Sequence, residues 1–71
     1  MHTGKASDRI IALMSDGHPR TSYEIDALIH GAQATRATWF RTAARCDRLV
    51  QRGTFVDCGK DTQGRTVYRL A

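Results

Sequence analysis

Apolar positions recur at the three- and four-residue spacing of a helix in three stretches of the chain. The first stretch spans residues 7–17, and four of its apolar residues cluster on one face: Ile10, Ile11, Leu13 and Met14. We expect Ser7 to cap this helix and Gly17 to end it, because glycine readily adopts the left-handed conformation that follows a helix terminus. The polar residues 1–6 are expected to form a flexible N-terminal arm.

A capping box predicts where the second helix begins. Thr21 and Glu24 are three residues apart, so the Thr21 hydroxyl can accept the Glu24 N–H while the Glu24 side chain reaches back. Three residues are expected to point inward: Ile25, Leu28 and Ile29. Gly31 is placed to end this helix. His18 and Pro19 precede it and force an extended connection, in which Arg20 can form a very short strand.

The longest helix is predicted over residues 36–52, with Thr35 as its cap, after a short turn at residues 31–34. Its apolar stripe, expected to pack inward, is Trp39, Ala43, Cys46, Leu49 and Val50. Its opposite side carries a row of like charges: Arg41, Arg45, Arg48 and Arg52. Repulsion within the row costs roughly a few tenths of a kcal/mol per pair, so an anion would relieve it. Phe40 lies about 100° from Trp39, at the edge of the core, and its exposure would indicate a dimer or partner surface.

The last part of the chain is predicted to be a β-hairpin. Its strands are expected at residues 54–58 and 65–70, joined by a turn at 59–64. Alternation is expected to place four residues on one face: Tyr68 and Leu70, with Val56 and Cys58 opposite them. Lys60 and Arg65 are expected at the exposed tip.

The composition of the chain narrows the range of expected functions. The chain carries a formal net charge of +4, and nine of its eleven basic residues are arginine. Arginine offers a planar fork of donors that suits phosphates and guanine edges. With 71 residues the core is small and leaves little room for an enclosed metabolite pocket. Because no nucleophile with a base, carboxylate pair or phosphate loop is evident either, we expect no enzyme activity and no cofactor.

The cysteines and histidines favour structural roles. Cys46 and Cys58 lack the number and spacing of a disulfide scaffold or zinc site, and both are expected to be small buried hydrophobes in a reduced, cytoplasmic protein. The histidines occur singly, so we expect no metal site. The longest apolar run, residues 10–14, is too short to span a bilayer, and no membrane association is expected.

The predicted order of elements resembles the winged helix-turn-helix fold of bacterial transcriptional regulators such as the MarR and ArsR types. Three segments carry the resemblance, which covers about residues 7–70: residues 21–28, 49–56 and 64–70. It implies an α+β fold, a three-helix winged helix-turn-helix with a C-terminal two-stranded β-hairpin wing, over residues 7–71. It further implies sequence-specific binding of double-stranded DNA by a small transcriptional regulator of prokaryotic, phage or plasmid origin. The sequence shows neither the extra dimerisation helices of the MarR type nor the metal-sensing clusters of the ArsR type.

In this resemblance the third helix is the recognition helix, and its N-terminal part reads base edges in the major groove. The candidate DNA-binding residues are Gln33, Arg36, Thr38, Arg41, Arg45, Arg48, Lys60 and Arg65. Arg36, Thr38 and Arg41 are the candidates for direct base contact, which is worth roughly 1–3 kcal/mol of discrimination per good pair. Gln33 can join this set, and Arg45, one turn further along, can contact either bases or phosphates. Arg48 lies where the helix leaves the groove and can instead only complement the helix dipole. Lys60 and Arg65 can contact phosphates or enter the adjacent minor groove.

A second reading stays open. Winged helices also serve as protein-binding modules, and a small basic one could be a phage-borne inhibitor or adaptor that docks on an acidic surface of a nucleoprotein complex. Apolar surface, with Phe40 and Phe55 as candidates, would then dominate binding. A homodimer is also possible, with the first helix supplying a face.

Overall fold

Three helices and three strands make up residues 5–71, the part of the chain that this computed structural model describes. The helices are α1 (Lys5–Leu13), α2 (Ser22–His30) and α3 (Arg36–Gln51), and the strands are β1 (Arg20–Thr21), β2 (Phe55–Lys60) and β3 (Thr66–Leu70). Short 3-10 turns extend α1 over Met14–Asp16 and α2 over Gly31–Gln33. The architecture is α+β, with one antiparallel sheet in the order β1-β3-β2.

Helix α1 begins earlier than its sequence pattern indicated. Lys5 and Ala6, expected in a flexible arm, already belong to the helix, and residues 1–4 lie outside the described residues. Ser7 is therefore inside the first turn and is not the cap, a prediction that was wrong because Lys5 and Ala6 are themselves good helix formers. The predicted stop is confirmed: Gly17 has φ 78° and donates its N–H to the Met14 carbonyl at 3.1 Å.

Helix α2 has the predicted start and a different inner face. Thr21 Oγ1 accepts the Glu24 N–H at 3.1 Å, and the Thr21 N–H donates to Glu24 Oε1 at 2.9 Å, which confirms the capping box. Ile25 is buried as expected, but Leu28 is 58% exposed, so its predicted inward position was wrong. The carboxylate of Asp26 occupies the buried face of α2 instead, because α3 supplies hydroxyl partners there.

The sheet has three strands, whereas the sequence predicted a two-stranded C-terminal hairpin. The hairpin of β2 and β3 forms, and the short strand expected at Arg20 forms as well, as part of β1. Strand β1 pairs with the outer edge of β3, opposing Arg20 to Tyr68 and Thr21 to Val67. The predicted number of strands in the sheet was therefore too low, because β1 joins the hairpin through pairing between segments that are far apart in sequence.

The pairing register of the hairpin also differs from the expectation. Phe55 lies opposite Leu70 and Asp57 lies opposite Tyr68, where Val56 and Cys58 were predicted. A shift of one residue moves every side chain of a strand to the other face of the sheet. Phe55 is consequently buried at 2% exposure, and Cys58, which was expected to be buried, is exposed.

The core lies between the helices and the sheet. Its buried apolar residues come from five of the six main elements and the turn after α1: Ile10, Met14, Ile25, Cys46, Leu49, Phe55 and Tyr68. Tyr68 keeps its hydroxyl satisfied by donating to Asp47 Oδ1 at 2.6 Å, which ties β3 to α3. Within residues 5–71 no buried side-chain nitrogen or oxygen lacks a hydrogen-bond partner, as expected of a well-packed interior.

Alkaline pH should destabilise this core through Cys46. Burial raises the pKa of the Cys46 thiol from its ordinary value to about 12. The contribution of this thiol to stability is therefore complete below the pKa that it has in the unfolded chain, and it is lost as the pH rises towards the pKa that it has in the folded protein. We expect the free energy of unfolding to fall by about 1 kcal/mol between about pH 9 and 10 from this group alone. Chemical denaturation followed by Trp39 fluorescence measures the change. Burial and the hydrogen bond to Asp47 raise the pKa of Tyr68 as well, so the decline should continue above pH 10.

The two cysteines provide a matched pair of variants for this prediction. Cys46→Ala should remove most of the decline between pH 9 and 10, whereas Cys58→Ala, at an exposed position, should keep it. Equal pH profiles for Cys46→Ala and the unchanged protein would show that the Cys46 thiol is not the titrating group.

Candidate nucleic-acid interface

The start of α3 is set by a second capping box. Thr35 Oγ1 accepts the Thr38 N–H at 3.2 Å, and the Thr35 N–H donates to Thr38 Oγ1 at 2.8 Å. The predicted cap at Thr35 is thereby confirmed, although a threonine takes the position that glutamate or glutamine usually fills. The helix ends at Gln51, one residue before the predicted end, and Arg52 is its C-terminal cap.

A buried carboxylate joins α3 to α2. Asp26 is 2% exposed and accepts hydrogen bonds from two hydroxyls of α3: Oδ1 from Thr42 at 2.9 Å and Oδ2 from Thr38 at 3.0 Å. His30 Nε2 lies 3.5 Å from Oδ1 of the same carboxylate. One turn along α3 from its cap, Trp39 Nε1 donates to Ser22 Oγ at 3.2 Å. These contacts hold the first half of α3 in one orientation on α2.

The role of Asp26 and the burial of Thr42 were not predicted from the sequence. A signal was present, because Asp26 lies beside Ile25 and one turn from Ile29, on the inward side of α2, and Thr38 and Thr42 are four residues apart. The pattern indicates a hydrogen-bonded site only once the structure shows that Asp26 on α2 faces Thr38 and Thr42 on α3.

Removal of the Asp26 carboxylate should weaken the docking of α3 on α2. Asp26→Ala leaves the Thr42 hydroxyl, on a residue that is 1% exposed, without its acceptor, and we expect a loss of about 3 kcal/mol in the free energy of unfolding. Asp26→Asn, which keeps one acceptor oxygen, should lose less. Urea denaturation measures the free energy of unfolding of the unchanged protein and of both variants.

Thr42→Val supplies the control for this interaction. If the Asp26 to Thr42 hydrogen bond carries the effect, Thr42→Val should cost less in the Asp26→Ala background than in the unchanged protein. Strictly additive losses would mean that the two residues act independently.

The arginines of α3 have no acidic partners within the described part of the chain. Five lie on the helix or at its C-terminal cap: Arg36, Arg41, Arg45, Arg48 and Arg52. The ion pairs among residues 5–71 are Arg20 with Asp16 at 2.8 Å and His30 with Asp26, and neither uses an arginine of α3. The single acid of α3, Asp47, accepts the Tyr68 hydroxyl. The positive charge along α3 is therefore not neutralised by these residues.

Arg20 forms an ion pair with Asp16 and provides a comparison for the arginines of α3. Its guanidinium makes two hydrogen bonds to Asp16, at 3.0 and 2.8 Å, and this contact lowers the pKa of Asp16 to about 2. By contrast, Arg41, Arg45 and Arg48 line a surface cleft of about 130 Å³ together with Ala44. Arg45 is half-buried, and the other two are exposed.

Of the predicted contact residues at the start of α3, two are exposed to solvent and one makes hydrogen bonds within the protein. Gln33 and Arg36 are exposed, just before and at the start of α3. Thr38 is half-buried, and its hydroxyl donates to Asp26 and lies 2.9 Å from the Thr35 carbonyl. The Thr38 hydroxyl therefore holds α3 in place in this structure.

The two predicted contacts of the hairpin have different surroundings. Lys60 lies within β2, and its Nζ donates to Thr66 Oγ1 at 2.7 Å. Arg65 follows a turn ordered by Asp61, whose Oδ1 accepts the N–H groups of Gln63 and Arg65 at 2.8 and 2.9 Å. These backbone hydrogen bonds lower the pKa of Asp61.

Arg65 contacts the start of α2 through an aromatic side chain. Its guanidinium lies 4.6 Å from the centre of the Tyr23 ring, a cation–π arrangement. Arg36 and Arg65 line the same groove, of about 390 Å³, with Tyr23, Thr35 and Trp39 among its other residues. One arginine of the hairpin and one of α3 thus lie on a common surface.

Three aromatic side chains form a surface that we call the aromatic ridge: Tyr23, Trp39 and Phe40. The Trp39 ring centre lies 6.4 Å from that of Tyr23, edge to face, and 4.9 Å from that of Phe40. Trp39 is half-buried, whereas Tyr23 is 51% and Phe40 57% exposed. Phe40 is thus the exposed aromatic that would indicate a partner surface, while Phe55, the other candidate, is buried and cannot contribute.

No family model, curated protein or solved structure matches the chain. Across residues 5–71 there is no group of three or more histidine, cysteine, aspartate or glutamate side chains placed to hold a metal ion. In the same residues no helix is both long enough and apolar enough to cross a membrane. The charge and surface of α3 are therefore the features from which we infer a function.

Proposed function

We propose that this chain is a winged helix-turn-helix protein that binds double-stranded DNA through α3, as a small transcriptional regulator. The observation that carries the proposal is the set of α3 arginines without a carboxylate partner among the described residues. Like charges on one helix face destabilise the free helix, and DNA phosphates would supply the missing counter-charges.

The arrangement of elements supports this proposal. Helix α2, the 3-10 turn Gly31–Gln33 and α3 follow one another as the two helices and turn of a helix-turn-helix do. The β2–β3 hairpin would be the wing, with β1 as a third strand beside β3. The major groove is wide enough to admit one helix, and α3 would enter it.

Within this proposal the arginines divide between two tasks. Arg36 and Arg41, exposed in the first half of α3, would reach base edges, where a bidentate contact to guanine is worth roughly 1–3 kcal/mol of discrimination. Arg45 and Arg48 would contact phosphates, as would Arg65 from the wing.

The first test is a fluorescence-anisotropy titration against a random-sequence DNA duplex at two salt concentrations. Neutralising four to five phosphates gives a log-log slope between about −3 and −5, so the dissociation constant should rise on the order of 100-fold between roughly 50 and 200 mM salt. Binding that is insensitive to salt would contradict an interface built on these arginines.

Substitution of the arginine row provides the second test. Arg41→Ala combined with Arg45→Ala should weaken duplex binding at least about tenfold and make the log-log slope about 2 units less steep. The control is Lys5→Ala with Arg69→Ala, which removes the same charge from α1 and β3 and leaves the arginines of α3 unchanged. Arg69 is exposed and donates to the Leu70 carbonyl. Both double variants must give the circular dichroism of the unchanged protein.

Equal loss of affinity in the two double variants would mean that net charge, and not the position of the row, governs binding. Unchanged affinity in the Arg41, Arg45 variant would remove α3 from the interface.

The aromatic ridge favours a second candidate function. An exposed Phe40 and Tyr23 beside Arg36 and Arg65 also fit an acidic protein surface. The chain would then be a winged-helix adaptor or inhibitor. Absence of duplex binding at the lower salt concentration would favour this function over DNA binding.

A further inference from the structure

The outermost line of α3 is apolar, although the helix is rich in arginine. Ala37, Phe40 and Ala44 are all exposed, and their three- and four-residue spacing places them along one line of the helix. At 100° per residue this line points about 170° away from the mean direction of the buried α3 residues Thr42, Cys46 and Leu49. A surface that docks squarely on α3 would therefore meet these three side chains first.

Phe40 is held in place despite its exposure. Its ring packs against Trp39, with a centre-to-centre distance of 4.9 Å and an interplanar angle of 34°. Trp39 is in turn fixed by its hydrogen bond to Ser22. Because Phe40 already has a packing partner, it would lose little side-chain freedom on binding.

Charge on both sides of this line indicates what covers it. Arg36, Arg41 and Arg48 are exposed on α3 beside the apolar line and have no acidic partner among residues 5–71. A partner must therefore offer dense negative charge around a small apolar group. The major groove of DNA does so, because phosphates border it and the thymine C5-methyl is the apolar group on its base edges.

We propose that Phe40 packs against thymine methyl groups, so that the protein favours DNA sites with thymine beneath the middle of α3. Ala37 and Ala44, on either side, let the helix approach the base edges closely. This inference rests on the proposed function and names what α3 would recognise. Each methyl group that becomes buried should lower the dissociation constant about fourfold.

The test separates the methyl contact from DNA binding as a whole. A site is first selected with the unchanged protein from a randomised duplex library, then prepared in two forms, one with thymine and one with deoxyuridine at every thymine position. Replacing thymine by deoxyuridine removes the methyl group and keeps the base-pairing edge. We expect the unchanged protein to bind the deoxyuridine duplex at least about fourfold more weakly, with the same log-log salt slope.

Two variants test whether Phe40 makes the contact with the thymine methyl groups. Phe40→Ala should bind the two duplexes with nearly equal affinity. Leu28→Ala is the matched control, because Leu28 is an equally exposed apolar residue, at 58%, on α2, and it should keep the full preference for thymine.

Several results would overturn the inference while leaving DNA binding intact. They are equal affinity of the unchanged protein for both duplexes, a selected site no richer in thymine than the starting library, and a thymine preference that persists in Phe40→Ala. Failure to bind any duplex would instead overturn the proposed function, and the inference with it.

Discussion

The buried carboxylate of Asp26 fixes how α3 lies on α2, and the surface of the molecule depends on that. A carboxylate removed from water is costly unless hydrogen bonds satisfy its oxygens. Here the two oxygens take hydroxyl donors from Thr42 and Thr38, one turn apart on the facing helix. Apolar packing tolerates small shifts of one helix over another, whereas two directed hydrogen bonds to one carboxylate favour a single arrangement. The outward direction of Arg41 and Phe40 follows from this arrangement.

A second polar contact acts nearer the other end of α3. The Tyr68 hydroxyl donates to Asp47, so the central strand of the sheet is tied to the helix by a residue that also belongs to the apolar core. Asp47 is the single acid of α3, and among residues 5–71 it forms no ion pair with the arginines of the helix. The same contacts that build the fold thus leave a strongly positive helix surface.

Charge and apolar surface would have different tasks on α3 if it binds DNA. Arginine contacts to phosphates give affinity that falls with salt and is largely independent of sequence. Small apolar contacts add little affinity but distinguish one base from another. The line through Phe40, bordered by Arg41 and Arg48, brings the two kinds of contact onto one face of a rigid element.

The sequence by itself determined the features that act over three or four residues. The caps at Thr21 and Thr35 and the glycine stop at Gly17 were predictable, because each depends on a hydrogen bond or backbone conformation within one helical turn. The spacing of the α3 arginines was predictable for the same reason.

Only the tertiary structure decided where burial departs from the helical pattern and which segments pair. Leu28 is exposed and Asp26 buried because partners on α3, more than ten residues away, favour the carboxylate. The register that places Phe55 inside, the addition of β1 to the sheet and the contact of Arg65 with Tyr23 likewise join distant segments. Local periodicity carries little information about such partners, since a one-residue change of register reverses a strand's faces without altering its pattern.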